Sequence, residues 1–343
     1  MKRITLLKIT PWVLASTLIT DVLAAPDEKK VGLNTIEMTP FPQWLTDITG
    51  LTQWPEADPP YIPLSNIDLS IVPDYKPYRE SECHLNPVDS CSFDCFKCIA
   101  FDDVHTCSKL IQTFDDGPSE ATPLLLNHLR HKTTFFNLGY NVVRNPGVYQ
   151  RMVAEGHLIG THTWSHPFLP SLSNEQIVAQ LQWSVWAMNA TGNHLPRWFR
   201  PPYGGIDNRV RAIARQFGLT SVLWDHDSFD WMMQSTDFTR TEQQIYDDVA
   251  EWIQGGSGII LEHDGHDRTV NIGIQINNMI GPDQMTVAEC AGGVDYLKNL
   301  PHFARLSSVE KKSDDLTKRI AHEQDQEDDE GDDDQDDAET EDS

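Results

Sequence analysis

Between about Thr106 and Leu300, short β-branched or aromatic runs alternate with stretches of helical character, and nothing else in the chain narrows its fold so far. Lys109 to Phe114, Thr133 to Leu138, His157 to Thr161, Arg197 to Phe199, Leu219 to Trp224 and Gly258 to Glu262 have the length and composition of strands. Helix punctuation lies between them. Asn145 with Pro146 opens one helix and Gly156 closes it, Ser173 with Gln176 forms a capping-box pattern, and Gly218 and Gly255-Gly256 end helices over Arg209 to Phe217 and Thr241 to Ile253. In the helix after Ser173, Ile177, Leu181, Trp186 and Met188 fall toward one side. Parallel neighbours need a crossover long enough to hold a helix, so this alternation specifies a parallel sheet. Six strands are visible, and a seventh that includes Met285 to Val287 would give a barrel with an irregular closure.

Polar clusters stand where those strands end. Thr113-Phe114-Asp115-Asp116-Gly117-Pro118 closes the first, and His162-Thr163-Trp164-Ser165-His166 follows the third. Arg200-Pro201-Pro202-Tyr203, Asp227-Ser228-Phe229-Asp230-Trp231 and Glu262-His263-Asp264 follow the fourth, fifth and sixth. In parallel α/β folds the carboxyl ends of the strands gather functional groups, so the five clusters are expected to make one site. Histidines four residues apart share a face if the segment coils, and with one carboxylate they give three ligands for an ion and leave positions open for water. Taken alone, such a pair also suits a surface or hydrogen-bonded role, and Asp-Asp-Gly-Pro alone suits a solvated turn. Adjacent aspartates on an extended chain point to opposite sides, so Asp115 and Asp116 share a task only if the chain turns there.

In order and spacing these five segments resemble the motifs of the polysaccharide deacetylase family, carbohydrate esterase family 4, over about Cys107 to Leu297, with a particular likeness to the fungal and yeast chitin deacetylases. The resemblance implies a distorted (β/α) barrel of about seven parallel strands. It implies Asp116, His162 and His166 as ligands of a divalent metal, zinc first and cobalt second, and Asp115 as general base held by Arg200. It implies the backbone N–H of Tyr203 as oxyanion donor, His263 as general acid oriented by Asp230, and Leu261 with Trp231 as walls of an acetyl pocket. A second reading makes His263 a fourth ligand, because Glu262, Asp264 and His266 crowd its loop. Trp164, Trp183, Trp186 and Trp224 join Trp231 as candidates to stack on sugar faces. Cys107 is implied to pair with Cys290. Gln112, at a strand position usually apolar in the family, and Ala291 depart from the pattern.

The ends of the chain set its setting. Lys2, Arg3, an apolar run from Ile9 to Ile19 and Val22-Leu23-Ala24 read as a signal peptide over residues 1–24, and the run is too short for a bilayer anchor. Six cysteines suit an oxidising compartment, so the cluster Cys83, Cys91, Cys95 and Cys98 is expected to form disulfides, with pairing that sequence leaves open. Asn189-Ala190-Thr191 is a glycosylation sequon, and Gly192 is expected as the left-handed residue ending its helix. Residues 25–105 read as an irregular strap, 106–300 as the catalytic domain and 301–343 as an acidic tail. Of the net charge of −26, Ala321 to Ser343 contribute −14, and this acidity argues against nucleic acid as a partner. The expectation is a secreted, monomeric enzyme of the cell or spore wall that removes N-acetyl groups from chitin. Rival readings are an enzyme of this fold on acetylated xylan or peptidoglycan, a wall-binding protein without turnover, and a calcium-buffering role for the tail.

Overall fold

The computed structural model describes residues 37–234 and 240–297, so the signal-peptide segment and the acidic tail lie outside the described residues. Seven strands form one parallel sheet in the order β5-β4-β3-β2-β1-β7-β6. They are β1 Leu110–Asp115, β2 Thr134–Asn137, β3 Leu158–Thr161, β4 Trp198–Phe199, β5 Thr220–Ser221, β6 His226–Asp227 and β7 Gly258–His263. All six residues of β1 are buried, as a strand covered on both faces requires. The sheet curls into a half-barrel, and among the described residues no ladder joins β5 to β6. Register then does functional work: β1 pairs with β7 from Leu110–Gly258 to Asp115–His263, which sets the last residues of the two strands side by side.

Two expectations about the sheet are corrected. The seventh strand is His226–Asp227, not Met285 to Val287, which runs instead into a short helix capped by Thr286 and Glu289. Leu219 to Trp224 shortens to Thr220–Ser221, because Val222 bridges to Val104 and the Leu223 N–H donates to the Val104 carbonyl at 2.7 Å. The cluster from Asp227 to Trp231 therefore follows β6 rather than β5.

The helices are α1 Gln43–Thr49, α2 Phe93–Phe96, α3 Thr122–His128, α4 Gly139–Arg144, α5 Pro146–Ala154, α6 Asn174–Gly192, α7 Asn208–Gln216, α8 Glu242–Gly255, α9 Asp267–Ile280 and α10 Val287–Ala291. Ser173 and Gln176 do form a capping box on α6. That helix is buried all round rather than on one side, since the segment before β1 covers its outer face: Gln182 Nε2 donates to the Ile62 carbonyl at 3.0 Å and Trp183 Nε1 to that of Pro60 at 2.8 Å. The left-handed residue ending α6 is Asn193 (φ 54), not Gly192. Gly192 answers to packing instead, because a Cβ there would meet Tyr149 and His194 ring carbons at 2.8 Å. Asn145 holds the N-cap position of α5 with Pro146 after it, but its side chain makes no cap bond; the amide donates instead to the Pro118 carbonyl at 3.1 Å, behind the turn that follows β1.

Gln112, out of place in an apolar strand, has a buried partner. Its amide donates to Glu262 Oε1 at 2.9 Å and to the Gly273 carbonyl at 3.0 Å, and its oxygen accepts from Asn277 at 2.8 Å and Gln284 at 3.2 Å. Burial and the nearby Asp230 charge push the Glu262 carboxyl well above its ordinary range, against the Gln112 hydrogen bond and the His263 charge, which pull it down. Three disulfides, Cys83–Cys95, Cys91–Cys98 and Cys107–Cys290, use all six cysteines. Among the described residues no helix is long and apolar enough to cross a membrane.

Candidate active site

Asp115 ends β1 at 2% exposure, and its Oδ1 accepts from Arg200 Nη1 at 2.9 Å. Arg200 follows β4 and is itself fully buried over the Phe136 ring; the same nitrogen also donates to Thr113 Oγ1 at 2.7 Å. Burial pushes the Asp115 carboxyl up, Arg200 and His263 pull it back, Asp116 adds to the rise, and the balance lies at about 6. The guanidinium thus aims this carboxylate without returning it to the ordinary carboxylate range.

The chain does turn at Asp116, whose φ is 76, and the Gly117–Pro118 peptide bond after it is cis. Asn141 Nδ2 holds the Asp116 carbonyl at 2.8 Å. Gly117 is required by close approach, since a Cβ would lie 2.4 Å from the Asp264 carboxylate. The two aspartates consequently reach the same space: His162 Nε2 is 3.7 Å from Asp115 Oδ2 and 3.5 Å from Asp116 Oδ1. His166 Nε2 is 3.3 Å from that same Asp116 oxygen.

The two histidines converge by a different route from a helical turn. Residues 162–166 form a loop in which Thr163 (φ 73) and His166 (φ 66) take left-handed conformations, so the imidazoles meet through backbone reversals. His162 Nδ1–H donates to the Arg200 carbonyl at 2.8 Å, which fixes the tautomer and leaves the Nε2 lone pair facing Asp116. Burial holds both imidazoles below their ordinary pKa, so they are neutral bases in position to ligate.

Asp116, His162 and His166 offer ligand atoms all within 4.8 Å of one another. Asp116 Oδ1 is buried without a hydrogen-bond partner, although a carboxylate oxygen in that position needs one. Donors at ~2.0–2.1 Å from a tetrahedral zinc stand about 3.3–3.4 Å apart. The 3.3 and 3.5 Å carboxylate-to-imidazole separations match that spacing, so these residues fit a small divalent cation.

On the other side of Asp115, His263 ends β7. Its Nδ1–H donates to Asp230 Oδ1 at 2.7 Å and its backbone N–H to Asp230 Oδ2 at 2.8 Å. Burial alone would lower its pKa, but the Asp230 charge and hydrogen bond, with Asp116 and Asp115, raise it to about 10. The ring is a cation with an orienting partner. Asp264, buried beside it, accepts from Thr122 Oγ1 at 2.5 Å and donates its N–H to the Asp115 carbonyl at 3.1 Å.

Tyr203 has φ 59, stacks edge-on with His166 at 4.5 Å and is 52% exposed; its N–H has no hydrogen-bond acceptor among the described residues. Leu261 is buried in β7 opposite Asp227, whereas Trp231 is 46% exposed in the turn that follows β6, with Phe229 as its ring neighbour. Trp164, Trp183 and Trp186 are buried in the core and present no face to a ligand; Trp224 is half-buried, with Phe93 against its ring. Asn189 is half-buried in the last turns of α6. Beside Asp116 opens a polar cleft of about 480 Å³, lined by Glu120, Asn141, Asn145, His266 and Asp267 among others.

Sequence reasoning did not assign Asn141, Thr113 or Thr122, which hold the Asp-Asp turn and its partners from other elements. The signal available was the glycine of Asp116-Gly117-Pro118, which marks a close approach without saying to what.

Comparison with known proteins places this arrangement. The pattern that defines the family described as polysaccharide deacetylase matches residues 102–222. The chain belongs to that family. It is 62% identical to Chitin deacetylase 2 of Saccharomyces cerevisiae over 260 residues, covering 76% of this chain and 83% of that one. Identity to Chitin deacetylase 1 of the same yeast is 59%, over 76% of this chain and 86% of the relative. Among solved structures, the chitin deacetylase of the fungal pathogen Colletotrichum lindemuthianum superposes with a TM-score of 0.50 at 26% identity, covering 58% of this chain and 97% of that one.

Proposed function

We propose that this chain is a secreted, metal-dependent chitin deacetylase that hydrolyses the N-acetyl groups of N-acetylglucosamine units, giving chitosan and acetate. The observation that carries the reading is the convergence of Asp116, His162 and His166 beside a paired base and acid, Asp115 and His263. The identity of 62% and 59% to two yeast chitin deacetylases supports the substrate.

Asp116, His162 and His166 would hold a divalent cation, with zinc best suited to one carboxylate and two imidazoles. Bound there, it supplies Lewis acidity that polarises the amide carbonyl and makes water a better nucleophile. Asp115, with a pKa of about 6, is ionised at neutral pH and takes the proton of the attacking water. Arg200 keeps its acceptor oxygen aimed. As the new C–O bond forms, the Tyr203 N–H would donate to the developing oxyanion. His263, a cation with a pKa of about 10, gives its proton to the amine nitrogen as the C–N bond breaks. Water is consumed, acetate and amine leave, and the proton taken by Asp115 balances the one given by His263. Leu261 and Trp231 are assigned to the walls for the acetyl methyl.

The remaining assignments belong to the same reading: residues 1–24 as a signal peptide, 25–105 as a strap, 106–300 as the catalytic domain and 301–343 as a solvated tail. Three disulfides agree with export to an oxidising compartment. Glycosylation at Asn189, residence in the cell or spore wall and a monomeric state complete it. Acetate release from chitohexaose, with and without chelator and after zinc or cobalt add-back, tests the proposal. Loss on chelation and return on add-back is expected, and chelator-insensitive release would overturn it.

A further inference from the structure

The loop that carries both histidines is held from outside the region that defines the family. Trp164 and Ser165 stand between His162 and His166, and each is tied to the backbone of the strap. Trp164 Nε1 donates to the Glu56 carbonyl at 2.7 Å, and the Ser165 hydroxyl donates to the Ala57 carbonyl at 2.5 Å. Gln180 of α6 completes the link: its Oε1 accepts from the backbone N–H of Trp164 at 3.2 Å and of Ser165 at 3.0 Å. Its Nε2 donates to Ser165 Oγ at 3.0 Å and to the Ala57 carbonyl at 3.4 Å. Trp164 is fully buried and stacks on Trp54 at 6.1 Å. The family match begins only at residue 102, so these contacts come from upstream of it.

The loop needs such support. Thr163 and His166 are non-glycine residues in left-handed conformations, which are strained and persist only where surroundings over-determine them. Residues 162–166 lie outside helix and strand. Between the two imidazoles, the bonds from Glu56, Ala57 and Gln180 join two from α4, where the Gly139 N–H donates to the Thr163 carbonyl at 2.9 Å and the Tyr140 N–H to the Trp164 carbonyl at 3.0 Å; of these, the strap bonds alone come from upstream of residue 102.

We propose that residues 54–57 of the strap form a positioning element for the metal-ligand loop, acting through Trp164, Ser165 and Gln180 to fix how His162 and His166 face Asp116. The inference rests on the metal centre proposed above. Gln182 supplies the control, because its amide donates to the Ile62 carbonyl in the same strap but outside the loop.

The test is zinc titration calorimetry on the full, metal-stripped chain, with melting temperatures measured in parallel. Trp164→Phe and Ser165→Ala are expected to weaken zinc binding by about tenfold or more, the usual effect of removing an outer partner of a ligand. Gln182→Leu is expected to lower the melting temperature as Trp164→Phe does and to leave zinc affinity unchanged. Should Trp164→Phe fail to fold, loss of the single hydroxyl in Ser165→Ala decides the matter. Unchanged affinity in Ser165→Ala and in folded Trp164→Phe, or equal weakening in Gln182→Leu, overturns the positioning role. No zinc binding by the unaltered chain would instead overturn the metal centre, and this inference with it.

Discussion

Asp230→Asn isolates what the buried carboxylate does for His263. In the native chain the imidazole is raised from an ordinary 6.5 to about 10, with Asp230 as the largest source of the rise. Replacing that charge with an amide leaves burial much less opposed and brings the imidazole back toward or below 6.5. At pH 8 a group with a pKa of 6.5 is only about one-thirtieth protonated, so a reaction that needs the cation slows by roughly 30-fold from protonation alone. The sign is specific. The basic limb of kcat/KM moves to lower pH, and the deficit shrinks as the assay is acidified. Acetate release from chitohexaose across pH 5–10 (the assay range, spanning about the ordinary His and Lys values) measures that limb. A uniform loss of rate with an unmoved basic limb would refute His263 as a proton donor tuned by Asp230.

Asp115→Asn should lower kcat by about 10²- to 10⁴-fold while zinc still binds, since Asp115 is assigned to proton transfer rather than ligation; calorimetry beside a kcat measurement separates the two. Glu262→Gln concerns a carboxyl whose pKa in the fold is raised, so its contribution favours the folded state below the unfolded value of 4.5 and is lost as pH rises. The amide should therefore raise or preserve the melting temperature at pH 7–8 (about neutral, well above the carboxylate range), and marked destabilisation there would refute a carboxyl raised by its burial. Cys107→Ser opens a bridge between residues 183 apart in sequence and should cost about 2–5 kcal/mol in denaturant unfolding. A native-like midpoint would show that the bridge adds nothing.

How much of this was legible in the sequence follows from the range of the interactions involved. β1, β2, β3 and β7 announce themselves through local pattern, and so do the clusters at their ends. β6, only His226–Asp227, has no apolar period to read, and its pairing with β7 is purely tertiary. The histidine spacing marked two residues that do converge, but by another route: their convergence comes from left-handed Thr163 and His166, not from a helical turn. The all-round burial of α6 was hidden because its cover is a strap more than a hundred residues upstream, bonded through backbone carbonyls. Gln112 looked anomalous because Glu262 and Asn277 reach it from β7 and α9.

The account stands on one centre built from Asp116, His162 and His166, and X-ray absorption at the zinc edge of the reconstituted chain examines it directly. One zinc per chain is predicted, with only nitrogen and oxygen neighbours at about 2.0–2.2 Å and the outer scattering of two imidazoles. Every cysteine is committed to a disulfide, so no sulfur is expected. A sulfur shell near ~2.3 Å, or a single-imidazole signal, would contradict it.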